Sequence, residues 1–218
     1  KKDFTVGNVA LSMDAFWMWV KIVVACIPAV VYGLLFDDAV SEAFKKEIGT
    51  SGVTIQVIVV AVMLVLVGVL FIVIENWNKN RVPTTTTLSQ LTYRDALIIG
   101  FCQLVAAALP GTSRSGATIL GAIMIGISRT VAAEFTFFLA IPVMFGASLL
   151  KLLKFGFAFT GMELACLLVG TVISFIVSLF VLRFLMGYIK KHDFKVFGWY
   201  RIILGAIVLL CGVCGLLP

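Results

Sequence analysis

The residue types best suited to chemistry lie in one short run, Pro110-Gly111-Thr112-Ser113-Arg114-Ser115-Gly116-Ala117-Thr118. Its two glycines let the backbone turn tightly and come close to a ligand. Ser115 is placed to cap a helix that follows, and the free N–H groups at that helix start, from Gly116 to Thr118, favour an anion. Arg114 carries a planar fork that grips two phosphate oxygens at once. Ser113, Ser115 and Thr118 add hydroxyl donors, and Gly111, Thr112 and Gly116 complete the binding set. Every group donates and none is negatively charged, so the ligand this run predicts is a phosphate or pyrophosphate. The structural alternative is a helix cap with one arginine snorkelling to an interface.

The solvent around this run is lipid. Hydrophobic residues make up 61% of the 218 and charged residues 13%, whereas a soluble domain has roughly half and a quarter. A spanning helix needs about 20 apolar residues. Five stretches qualify: Ala15 to Phe36, Val53 to Ile74, Thr130 to Leu150, Met162 to Tyr188 and Trp199 to Leu217. Between the second and third, an apolar helix from about Asp95 to Leu109 stops at Pro110-Gly111, and a shorter one runs from about Ala117 to Ile127. At about 1.5 Å per residue, neither comfortably crosses a core of about 30 Å.

Loop charge orients these spans. The net charge is +6, and Lys and Arg gather on the cytoplasmic side. The loop Glu75 to Arg94 and the loop after Tyr188 are rich in Lys and Arg; the loop Asp37 to Gly52 is rich in acids. The first two are predicted inside and the third outside, although Lys151 and Lys154 then fall outside. Arg94 and Arg129 both lie inside, so 93–127 must enter and leave on one face. It is a re-entrant hairpin with the polar run at its tip, facing outward. Irregular backbone survives at that depth only when buried in protein or lining a wet cavity. The prediction is an all-α polytopic membrane protein of about five spans and one re-entrant hairpin, a single transmembrane domain over 1–218. No internal repeat is evident, and no soluble basic face exists to carry nucleic acid.

Other polar residues are read one by one. Gln103, in the first half-helix, can hydrogen-bond the site from below. Arg201 is an interface anchor or a second phosphate contact. Glu134, five residues from Arg129 and so on a different helix face, is a candidate metal ligand or Arg114 partner. Lys21 reads as a snorkelling residue, and His192 as a solvated loop residue. Tyr200 and Trp199 sit where interfacial anchors belong. The odd number of cysteines, all in apolar runs, implies no disulfide framework, and Cys211-x-x-Cys214 reads as small buried apolar residues. A phosphatase needs a nucleophile or activated water, a base and usually a metal. This chain supplies hydroxyls, but no cluster of acids or histidines within the apolar spans.

The segment Leu109-Pro-Gly-Thr-Ser-Arg-Ser-Gly-Ala-Thr-Ile119 resembles the second signature of the undecaprenyl pyrophosphate phosphatase family, the bacitracin-resistance membrane enzymes. The resemblance continues through Gly126-Ile-Ser-Arg129, Ala133-Glu-Phe135 and Leu139-Ala-Ile-Pro142. It also takes in Tyr93-Arg94, Phe101-Cys-Gln103 and Tyr200-Arg201. It implies hydrolysis of a polyprenyl pyrophosphate to the monophosphate, which recycles the lipid carrier for cell-wall synthesis. It implies that Arg114 grips the pyrophosphate with help from Ser113 and Thr118, with Arg114 and Ser113 in the catalytic roles. A divalent metal (Mg or Ca), two re-entrant hairpins in inverted repeats and a bacterial plasma-membrane location come with it, and a homodimer is a further expectation.

The family's N-terminal signature, a Glu-rich stretch with Ser-Ser-Thr-Gly-His, has no counterpart here. The sequence is therefore expected to be the C-terminal part of a longer family chain, with hydrolysis conditional on the region before it. A second membrane phosphatase class would place a histidine at the position of Leu120, and is disfavoured. The alternative of a different kind is an anion or lipid-phosphate transporter or binding protein, whose broken helices meet at mid-membrane.

Overall fold

The computed structural model describes residues 4–6, 9–11, 13–35, 53–156 and 160–214. The acidic loop Asp37 to Gly52, used above to orient the chain, lies outside them. A short antiparallel hairpin, β1 (Phe4–Val6) and β2 (Val9–Leu11), comes first. Strands of this length carry too little alternation to be read from sequence.

Everything else regular is helical. The helices are α1 (Met13–Leu35), α2 (Val53–Asn78), α3 (Tyr93–Ala108), α4 (Arg114–Met124), α5 (Arg129–Phe155), α6 (Gly161–Ile189) and α7 (Lys195–Val213). Five of them are long and apolar enough to cross a membrane: α1, α2, α5, α6 and α7. With α3 and α4 as half-helices, this is the predicted all-α polytopic architecture.

Small residues bring the spans together. Without a hydrophobic drive between helices in lipid, close backbone approach and van der Waals packing hold them. Gly198, Gly205 and Gly212 recur at heptad spacing along α7 and face α2. A Cβ added at each would come within 2.8 Å of the Gly68 carbonyl, 2.9 Å of the Ala61 carbonyl and 2.6 Å of Val57 Cγ1, respectively. Rising numbers on α7 meet falling numbers on α2, so the two helices are antiparallel. Gly100 lets α3 close on the Ala25 backbone of α1 in the same way. By contrast α6 is exposed along nearly its whole length, with only Ile189 buried among its described residues.

The hairpin is held at its base. Its exit, after α4, runs beside the loop before α3: Thr84 N donates to Gly126 O at 2.9 Å and Ser128 N to Thr85 O at 2.9 Å. The chain therefore enters and leaves on one face, as the loop charges required. Lys21 is no snorkelling residue: it is buried on α1, and its Nζ donates to the Ser89 carbonyl at 3.3 Å, tying α1 to the loop that opens the hairpin. On the same face a bidentate pair joins three elements. Arg129, at the start of α5, donates to Glu75 near the end of α2 at 2.6 to 3.0 Å, and Glu75 Oε1 also accepts from Phe194 N, before α7, at 3.2 Å.

A candidate anion site at the broken helix

The break has three parts, each legible in local chemistry. First, α3 ends and Leu109-Pro110-Gly111-Thr112 turns, with Thr112 N donating to Leu109 O at 3.2 Å. Proline second and a glycine of positive φ third make a type II turn, and Gly111 has φ +85°. There is also no room for a side chain there, since a Cβ on Gly111 would lie 2.9 Å from the Val60 carbonyl of α2. Second, α4 begins at Arg114, with Ser113 as its cap: Ser113 Oγ accepts from Gly116 N at 3.2 Å. Third, α4 closes at Gly126, φ +92°, where Ile127 N reaches Ala122 O and Gly126 N reaches Ile123 O, both at 3.1 Å. This is the glycine-terminated Schellman end.

Two sequence expectations change here. Ser115 is not the cap but an exposed first-turn residue, whose Oγ lies 3.1 Å from Ser113 Oγ. The helix starts three residues earlier than expected, so the open N–H groups are those of Arg114 and Ser115. The reason is ordinary cap competition: Ser113 and Ser115 are both good caps, and the turn at Gly111 aligns the backbone for the first of them.

Around this helix start the structure gathers polar groups from three other helices. A cavity of about 150 Å³ is lined by Arg114, Ser115 and Thr118 of α4, Gln103 of α3, and Thr136, Phe137 and Ala140 of α5. Gln103 is 2% exposed, and its Nε2 has no hydrogen-bond partner among the described residues. Thr118 is fully buried; its hydroxyl donates to the Arg114 or Ser115 carbonyl, each at 3.0 Å, and accepts from Thr136 Oγ1 at 3.1 Å. The proton of Thr118 therefore stays within the first turn, and the pair Thr136–Thr118 holds the backbone that carries Arg114. Nothing in the sequence singled out Thr136, a hydroxyl within an apolar run.

On the opposite flank of α4 stands Arg201 of α7. A Cβ on Gly116 would lie 3.4 Å from Arg201 Nη2 and 3.2 Å from Phe71 Cε2. The guanidinium carbon lies 5.7 Å from the centre of the Phe71 ring, and Nη1 is buried without a partner. This is a packed position beside the helix start, not an interface anchor. Its neighbours Trp199 and Tyr200 are exposed. Neither Arg114 nor Arg201 has an acidic partner among the described residues.

The remaining candidates lie elsewhere. Thr112 sits in the turn with a buried, unpartnered Oγ1. Glu134 is half-buried on α5, outside the residues that line the cavity. Its possible neighbour Arg129 is taken by Glu75, a carboxylate in a run of loop charge. His192 is exposed and stacks on Tyr188 at 4.3 Å. All five cysteines are free. Among the described residues no three His, Cys, Asp or Glu come together, and the donors at the break suit an anion, so these residues do not make a cage for a divalent cation.

A helix broken in mid-span, within a bundle of five helices long and apolar enough to cross a membrane, defines a multi-pass membrane protein with a re-entrant hairpin. The sequence matches the family model described as bacitracin resistance protein BacA over residues 3–207. It is 61% identical over 203 residues to an undecaprenyl-diphosphatase of Desulfitobacterium hafniense, covering 93% of this chain and 69% of the relative. It is 56% identical over 200 residues to one from Enterococcus faecalis (92% and 68%), and 54% identical over 204 residues to undecaprenyl-diphosphatase 1 of Clostridium acetobutylicum (94% and 71%). The chain belongs to the BacA bacitracin resistance family.

Proposed function

We propose that this protein hydrolyses undecaprenyl pyrophosphate to undecaprenyl phosphate and inorganic phosphate, with the headgroup docked on the start of α4. The reaction consumes one water: the anhydride P–O bond breaks, the water oxygen joins the released phosphate, and the bridging oxygen stays on the lipid. The observation that carries the reading is the pair of arginines on opposite flanks of one helix start, neither with an acidic partner among the described residues. An arginine at the bilayer centre costs about 2.5–3.5 kcal/mol on insertion scales. Two of them beside open N–H groups are explained by a dianionic ligand.

Arg114 offers its fork to phosphate oxygens, and Arg201 supplies the second positive charge. Ser113 and Ser115 hydroxyls and the N–H groups of Arg114 and Ser115 add donors aimed at charge that builds as the anhydride breaks. Such preorganised donors each contribute about 10²–10³ in rate. The prenyl chain would lie in the apolar groove between α1 and α3, where Ile27, Val31, Leu97, Phe101 and Leu104 line a space of about 520 Å³. The implied divalent cation finds no ligand set among the described residues. By the loop-charge orientation, the site opens toward the external face of a bacterial plasma membrane.

The test is phosphate release from undecaprenyl pyrophosphate by the intact protein in detergent or liposomes. Release that Arg114→Ala abolishes supports the enzyme. Lipid binding or flux without release, in a protein of full length, establishes the transporter or binding protein instead.

A further inference from the structure

The 150 Å³ cavity behind Arg114 brings Gln103 of α3 and Thr136 of α5 to the same arginine that grips the headgroup. It has room for one phosphate group. Its polar lining is Arg114, Ser115, Gln103, Thr118 and Thr136, with no acid among the described residues that line it. The two threonine hydroxyl protons are engaged, Thr136 to Thr118 and Thr118 to the backbone. Among the described residues, what remains free to donate is the Arg114 guanidinium and the Gln103 amide, while the Ser115 hydroxyl shares a hydrogen bond with Ser113. An unpartnered amide donor in an apolar protein interior costs about 1–3 kcal/mol, and Gln103 is 98% buried by its 2% exposure. That arrangement is explained if something accepts its hydrogen bond.

We infer that this cavity is the subsite for the terminal phosphate of the diphosphate, with Gln103 as a binding residue that lets the site tell a diphosphate from a monophosphate. The inference rests on the proposed function and fixes the direction in which the headgroup lies. The terminal phosphate points inward between α3 and α5, where Gln103 and Arg114 hold it. The prenyl-linked phosphate stays at the helix start, by the N–H groups of Arg114 and Ser115. After cleavage the lipid monophosphate no longer fills the cavity, so it loses the Gln103 contact and leaves.

The experiment compares farnesyl diphosphate with farnesyl monophosphate, in detergent, on the intact protein. Binding of each is measured alongside inhibition by inorganic phosphate. Gln103→Leu keeps the bulk and removes the amide. It should weaken diphosphate binding about tenfold or more, the scale of a hydrogen bond to a charged group, weaken phosphate inhibition likewise, and leave monophosphate binding unchanged. Ala140→Leu, which fills the cavity from α5 with a good helix former, should do the same without touching Gln103. Equal losses for both lipids, or no loss in either variant, overturn the subsite. If the unaltered protein prefers neither lipid and releases no phosphate, the proposed function itself fails; if hydrolysis stays Arg114-dependent while selectivity is untouched, only the subsite falls.

Discussion

Arg129 and Glu75, 54 positions apart, meet in a bidentate pair at 2.6 to 3.0 Å, with the Glu75 side chain fully buried and that of Arg129 38% exposed. The same carboxylate accepts the Phe194 N–H, so the ends of α2, α5 and α7 share one anchor. The α4 exit, Gly126 to Ser128, lies directly before Arg129, and so the anchor also fixes the hairpin base. Arg129→Ala would leave a buried carboxylate with one hydrogen bond. Breaking such a pair costs about 3–5 kcal/mol, and water reaching Arg129 puts the expected loss near about 3. Thermal unfolding in detergent measures it. A lower midpoint is expected for Arg129→Ala, with partial recovery in Glu75→Gln/Arg129→Ala, where the uncompensated charge is gone.

Arg114→Ala should lower the hydrolysis rate of the intact protein by at least about 10²-fold, as for loss of one strong electrostatic donor. Arg114→Lys should recover only part of it, because the fork is lost while the charge stays. Phosphate release under saturating lipid is the measurement. Full recovery by lysine would mean that charge alone matters.

Arg201→Gln tests the second cation. A rise in KM of about tenfold, with a smaller fall in kcat, is the result expected of a group that holds the resting phosphate. Gly116→Ala tests the same contact sterically. Its Cβ would press on Phe71 and Arg201, and overpacking of this kind costs about 1–3 kcal/mol. Both variants should weaken headgroup binding, and the alanine should also lower the unfolding midpoint.

Thr136→Val removes a hydroxyl and keeps the shape. Thr118 then loses the hydrogen bond that steadies it, a change of about 1 kcal/mol. Activity should fall several-fold through Arg114 misplacement, and Thr136→Ser should restore it. A readout that separates this from simple destabilisation is the Arg114→Lys background. There the fork geometry is already gone, and Thr136→Val should add little.

Gly111→Ala places a side chain at φ +85° and within 2.9 Å of the Val60 carbonyl. Backbone strain of about 1–3 kcal/mol follows, and the tip must shift. Limited proteolysis or cysteine labelling at the turn should report greater access. Unchanged access and unchanged activity would show that the tip tolerates the displacement.

Much of the design is local and so was open to sequence reasoning. Apolar run lengths set the five spans. Pro110-Gly111 dictates the break, because no helix continues through it and only glycine adopts that turn without strain. The charge of the flanking loops placed both hairpin ends on one face, as the contacts of Thr84 and Thr85 with Gly126 and Ser128 show. The cap was misplaced by two residues because Ser113 and Ser115 are chemically equivalent until the turn before them has a geometry.

What only the tertiary structure decided are the relationships between distant residues. Glu75 in a loop-like charge run, Lys21 in an apolar helix, Thr136 among phenylalanines and Arg201 near an interface each admit a bland reading from neighbours alone. Their roles come from packing: Glu75 is enclosed by α5 and α7, Lys21 meets the Ser89 carbonyl, Thr136 faces Thr118, and Arg201 is brought to Gly116 by the glycine seam of α2 and α7. Hydropathy and spacing fix how far each helix reaches. Which of its faces meets which neighbour is settled by close packing of small residues across the bundle, where a single Cβ decides whether two backbones touch.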